Sequence, residues 1–182
     1  MKTVYWVTGA ENSGNRVLVQ SLCSAGCYGN SPRGEMHEYL LDDTLEFEGL
    51  PDRLAYMRSV PHGGRVPKPK LIATRMQRAG YTIKPILVIR KTEFAIEGQV
   101  LTYGRTREQA QQYVALAVTI MYDFALWLGE LLTVVSYELF VEIPEVRRDL
   151  FAQLGLPPPT FEPFNANDQE KYQHLVGPPL TF

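Results

Sequence analysis

The chain has 182 residues, 45% of them hydrophobic and 21% charged, with a net charge of -2. That length and balance describe one domain with a well-buried core rather than a disordered or fibrous chain. So small a net charge gives no overall attraction to nucleic acid or to an anionic membrane, and any anion site has to be a local arrangement.

Taken in chain order, Thr3–Thr8 reads as a short buried strand. Ser13–Ala25 reads as a helix with Val17, Leu18 and Leu22 inward and Gly26 as its stop. No signal-peptide pattern opens the chain, and no apolar run approaches a membrane span. The two cysteines, Cys23 and Cys27, are four apart on that helix, a spacing that suits small core residues better than a disulfide. Together these readings place the protein in the reducing cytoplasm. The stretch from Tyr28 to Pro69, rich in Gly, Pro, Arg and Glu, reads as a long loop region with short helical pieces such as Glu38–Asp42; a loop of that length in a compact domain is usually functional. Leu71–Ala79 reads as a helix ended by Gly80. Ile83–Arg90 reads as a central parallel strand, nearly all apolar, with Pro85 near its start. Thr92–Tyr103 and Arg107–Leu128 read as helices, the second carrying Ala110, Tyr113, Val114, Ala117, Ile120, Met121, Phe124 and Trp127 at helical spacing. Leu132–Ser136 is a further strand, and Pro144–Leu154 a helix with proline in its first turn. The tail is irregular, with one turn of helix in NANDQEKYQHL. Strands alternating with helices predict an α/β three-layer sandwich around a mostly parallel sheet, related to the P-loop NTPases, with ligands at the carboxyl ends of the strands.

The motif that carries chemistry is VTGAENSGNR, Val7 to Arg16: a strand, Gly9, four residues, Gly14, then a helix. Such a turn offers main-chain N–H groups and the positive end of a helix dipole, which together hold phosphate or sulfate. A nucleoside-triphosphatase adds Lys and Ser/Thr after the last glycine, for the phosphates and for Mg²⁺; here Asn15 and Arg16 stand there. Arg16 is able to give a bidentate contact to a phosphate or sulfuryl oxygen. The plain alternative is a helix N-terminus capped by Ser13 or Asn12, with Arg16 in solvent.

Three separated segments resemble the P-loop sulfotransferases, which use 3'-phosphoadenosine-5'-phosphosulfate (PAPS). Ser13-Gly14-Asn15 lies where that family has Ser-Gly-Thr for the 5'-phosphosulfate. Arg90 ends a strand as the 3'-phosphate arginine does. Val135, Tyr137, Glu138, Phe140, Pro144, Phe151, Leu154, Gly155 and Leu156 follow the family's C-terminal pattern. Glu11 and Arg16 look like a bacterial and phage branch. The resemblance implies a transferase that moves a sulfuryl group from PAPS to a hydroxyl of a carbohydrate or small-molecule acceptor and releases PAP, with no divalent metal. The implied nucleotide-binding residues are Gly9, Asn12, Ser13, Gly14, Asn15, Arg16, Arg90, Gly98 and Lys171. The chain departs from the family at Asn12, where a basic residue is common, at Gly98, where a serine binds the 3'-phosphate, and at Lys91-Thr92. In the tail, Asn167, Lys171 and Tyr172 lie where family members close over the nucleotide, Tyr to stack and Lys to reach a phosphate.

Chemistry of this kind needs in-line positioning, stabilisation of the leaving phosphate, and a base for the acceptor. Glu38, in Glu-Tyr-Leu, is the first choice of base; His62, in RSVPHGGR, is a second, and Glu35 and His37 are neighbours of the first. Arg16 joins Glu38 and His62 in the catalytic set. The basic run Arg65, Lys68, Lys70, Arg75 and Arg78 reads as a solvated face or a guide for an anionic acceptor. His37 and His62 with either glutamate match no familiar metal-ligand spacing. A nucleotide or small-molecule kinase, and a non-catalytic nucleotide-binding relative, are the competing readings.

Overall fold

The computed structural model describes residues 2–29, 36–37, 47–60 and 69–175. The chain runs β1 (Lys2–Ala10), α1 (Asn15–Ser24), β2 (Met36–His37), β3 (Arg53–Val60), α2 (Pro69–Arg78), β4 (Tyr81–Ile89), α3 (Thr92–Tyr103), α4 (Arg107–Leu128), β5 (Thr133–Ser136), α5 (Tyr137–Glu142) and α6 (Pro144–Leu154). Two 3-10 turns follow, Ala166–Asp168 and Glu170–Leu175. The strands form one parallel sheet in the order β2-β3-β1-β4-β5. β1 is central and buried along its length, as an apolar strand covered on both faces must be.

Alternation along the strands divides the core in two. Tyr5, Val7, Ile86 and Val88 face α1, α5 and α6. Val4, Trp6, Ile83 and Leu87 face α2 and α4. This is the expected α/β three-layer arrangement, with helices on both sides of the sheet. On the second face the Trp6 ring meets Tyr56 edge-on, with centroids 4.3 Å apart, and Phe124 at 4.7 Å. Aromatic packing of this kind adds about 0.5–1.5 kcal/mol per pair beyond area burial.

The sequence reading differs from the structure in several places. The stretch from Tyr28 to Pro69 contains β3, paired to β1 from Thr3↔Arg53 onward. α5 follows β5 directly. Cys27 lies beyond the end of α1, so the two cysteines do not share its face; both are free thiols. In α4 the buried side is Ala110, Ala117, Met121, Phe124 and Ala125, while Trp127 is 40% exposed under the Lys70 ammonium. No helix of the described residues is long and apolar enough to cross a membrane.

Candidate functional site

Strand order reverses direction at β1: the chain leaves it toward β3 on one side and returns as β4 on the other. The crevice between the carboxyl ends of β1 and β4 is the switch point where parallel sheets bind ligands. The loop after β1 and Arg90 after β4 both lie there.

The loop is shaped by alternating main-chain conformation. Asn12 (φ 65) and Gly14 (φ 93) are left-handed and Ser13 between them is not. This alternation is the kind that forms anion-binding nests, and here it folds the loop back so that the Ser13 N–H donates to the Ala10 carbonyl at 3.0 Å. Helix α1 starts at Asn15, two residues later than expected, because its N-cap is Gly14. No side chain caps it, so the capping roles considered for Ser13 and Asn12 are not taken up. The first N–H groups of any helix have no acceptor within the helix. Gly14 also has to be glycine for space: a Cβ would lie 2.1 Å from the Tyr137 ring.

Asn15, at the position of an NTPase lysine, is 4% exposed and folds inward. Its Nδ2 points to the Gly9 and Ala10 carbonyls at 3.4 and 3.3 Å. The carboxamide thereby braces the loop from inside. Ser13 is 3% exposed, and its hydroxyl has no hydrogen-bond partner among the described residues. Arg16 is exposed at the first turn of α1, and its charge reaches Tyr103.

Arg90 is buried and directed at the loop. Its Nη1 donates to the Asn12 carbonyl at 2.8 Å; its Nε, at 2.8 Å, and its Nη2 both donate to Asn167 Oδ1. Asn167 in turn donates to Glu138 Oε1 at 3.1 Å, and the Lys91 main-chain N–H reaches the same oxygen at 3.0 Å. The guanidinium lies over Tyr172 and Tyr137, 4.9 and 5.0 Å from the ring centres, and 5.5 Å from that of Phe94. Burial raises the Tyr137 phenol pKa, against the opposing pull of the Ala166 N–H and of Arg90. At least three of the five Arg90 N–H donors are therefore used inside the protein.

Gly98 lies on the inner face of α3. A Cβ there would meet Tyr172 Oη at 2.7 Å and Asn12 Cβ at 2.9 Å. Tyr172 is 1% exposed, packed edge-on to Phe94, with the Lys171 ammonium 4.9 Å above its ring. The tail tyrosine is thus a buried wedge rather than an open stacking platform. On the other flank of the loop, Glu11 is ion-paired to Arg105, which also donates to Gln99 at 2.9 Å and stacks on Tyr103 and Tyr113. A cleft of about 220 Å³ opens beside the loop between α3 and α4, lined by Ala10, Ser13, Leu87, Arg90, Val114 and Val118 among others.

The structure therefore brings Gly9, Asn12, Ser13, Gly14, Asn15, Arg90 and Gly98 together, with Arg16 and Lys171 on the rim. Glu35, Glu38 and His62 lie outside the described residues, and of His37 only the main chain, in β2, is described. Asn167 and Glu138, marked in the sequence by the resemblance alone, hold Arg90 in line, and Arg105 is an addition that no local sequence pattern marks.

A scan against protein-family models and a search of curated proteins both find no match to this chain.

Proposed function

We propose that the chain is a cytoplasmic sulfotransferase that moves a sulfuryl group from PAPS to a hydroxyl of a carbohydrate or small-molecule acceptor. The observation that carries the reading is the uncapped N-terminus of α1, opening onto a nest at Asn12–Gly14 with the unpartnered Ser13 hydroxyl beside it. These groups fit the phosphosulfate end of the nucleotide: N–H donors, a hydroxyl and the helix dipole all face an anion. Asn15 turned inward supports a ligand that needs no lysine at that position. Arg16 on the rim is the guanidinium that would meet a sulfuryl or phosphate oxygen, and Glu38 or His62 would serve as base. Bound PAPS would supply the sulfuryl group and a phosphate leaving group; the chain's part is to orient it and meet its charge.

The second phosphate fits less well. Arg90 spends donors on Asn12 and Asn167, and Gly98 is packed against Tyr172. This favours, as a second reading, a non-catalytic relative that binds a nucleotide through the loop alone. Calorimetric titration with PAP in EDTA, together with turnover of labelled PAPS over an acceptor panel, separates the two. Binding with turnover that is lost in Glu38→Gln or His62→Ala supports transfer; binding without turnover supports the second reading. No heat with millimolar PAP would remove both, and stabilisation by Mg-ATP alone would favour a kinase.

A further inference from the structure

α4 is 22 residues long and apolar on the side that should face water. Between Glu108 and Glu130 its only charged residue is Asp123. The buried side packs on the sheet, yet Ala115, Val118, Tyr122 and Leu126, at spacings of three and four, form an outward stripe. Val118 is 45%, Tyr122 58% and Leu126 64% exposed. A helix apolar on every side belongs in an interior.

The stripe is continuous with an uncovered part of the sheet. Ile89 of β4 and Val134 of edge strand β5 point to the same face as Leu87 and are exposed. Ile89, Leu87, Val114 and Val118 line the cleft between α4 and the sheet. Leu131, in the turn between α4 and β5, is 94% exposed. The side chains of Ile89, Val118, Tyr122, Leu126, Leu131 and Val134 leave on the order of 600 Å² in solvent, at the top of the ~300–600 Å² range for the largest patch of a monomer. That is most of the ~800 Å² per partner found in standard interfaces.

We propose that this face is a two-fold dimer interface with a second copy of the chain. The surface holds both halves of a complementary pair: a ridge, Tyr122 and Leu126, and a groove floored by Val114 and Val118. If two α4 helices pack antiparallel about an axis near residue 120, Tyr122 of one copy meets Val118 of the other, and Leu126 meets Val114. Every contact is made twice, as an isologous interface requires. A membrane surface is disfavoured as occupant, because an interfacial helix needs basic residues along its polar flank and α4 carries only Arg107, at its first position. The near absence of charge likewise gives a different, charged protein nothing to select.

Sedimentation equilibrium of the full chain from 1 to 100 µM tests this. A dimer is expected, converted to monomer by Tyr122→Glu or Leu126→Glu with the melting temperature of the monomeric fold retained. Leu139→Glu, at an exposed position of α5 on the opposite side of the sheet, serves as the control and leaves the dimer intact. Mixing Val118→Cys and Tyr122→Cys chains should give a disulfide-linked dimer on oxidation that neither forms alone. A wild-type chain monomeric at 100 µM overturns the proposal and leaves the groove to a different partner. A folded Tyr122→Glu, Leu126→Glu double variant that stays dimeric overturns it as well.

Discussion

The phenol oxygen of Tyr172 fills the space that a side chain at residue 98 would occupy: a Cβ built on Gly98 falls 2.7 Å from it. The same Cβ would lie 2.9 Å from Asn12 Cβ, so the tail, α3 and the loop after β1 meet at one point. Gly98→Ala should cost about 1–3 kcal/mol, the range for overpacking a filled site. Combining it with Tyr172→Phe, which removes the nearest atom, should recover part of that loss. Urea melts of the two single variants and the double variant measure the coupling; strictly additive losses would contradict the contact.

Arg90 acts as a fork between Asn12 and Asn167, and a lysine cannot reproduce that geometry. Arg90→Lys should therefore destabilise by about 2–4 kcal/mol, since it leaves the Asn12 carbonyl and Asn167 Oδ1 short of donors in buried surroundings. The loss should be close to that of Arg90→Ala. If the lysine variant melts like wild type, charge rather than the fork is what matters.

Gly14→Ala would put a Cβ into the Tyr137 ring and hold a non-glycine residue at φ 93. Strain of this kind alone costs about 1–3 kcal/mol. The expected result is a lower denaturation midpoint together with loss of PAP binding. Unchanged binding in a destabilised variant would mean that the nest does not hold the ligand.

Burial, with a smaller push from Cys23 and against the pull of Arg53, raises the Cys27 thiol to about 12. The burial of Tyr5, Tyr81, Tyr103 and Tyr137 pushes their phenols up as well. A folded pKa above the unfolded one favours the native state below the unfolded value, and that advantage fades as pH rises toward the folded value. For Cys27 the window runs from about 9 to about 12, with a slope of at most about 1.4 kcal/mol per pH unit. Urea midpoints should be level from pH 7 to 8.5 and fall by pH 10, less steeply in Cys27→Ala. Thiol reagents at pH 8 should label Cys23 before Cys27.

How much of this was legible in the sequence follows from where each signal resides. The bounds of α4 and α6 were readable to the residue because each helical run stops at a glycine, Gly129 or Gly155; the buried side of α4 was not, since apolar residues stand on its outer side as well. β3 was not. RLAYMRSV has arginines around a short apolar centre and no β-branched residue before its last position, so it is a strand because β1 pairs with it. The glycine loop was visible as a motif, but its inward Asn15 and uncapped helix were not. Arg90 was found from its place at a strand end. That it grips Asn12, 78 residues away, and Asn167, 77 away, is a property of the folded chain alone. The Glu11–Arg105 pair spans 94 residues and is equally invisible beforehand.

Those long spans bear on how the chain folds. The loop after β1 precedes in the chain everything that fixes it: Arg90, Arg105, Tyr137 and Asn167 set its shape, and the Tyr5 hydroxyl waits for the Leu154 carbonyl. Among the described residues the strand pairs are all parallel, so no hairpin there gives the folding chain a local foothold. A chain cut before Asn165 would thus keep the strands and helices of the sheet layers while Arg90 lost the Asn167 acceptor that aims it at the loop.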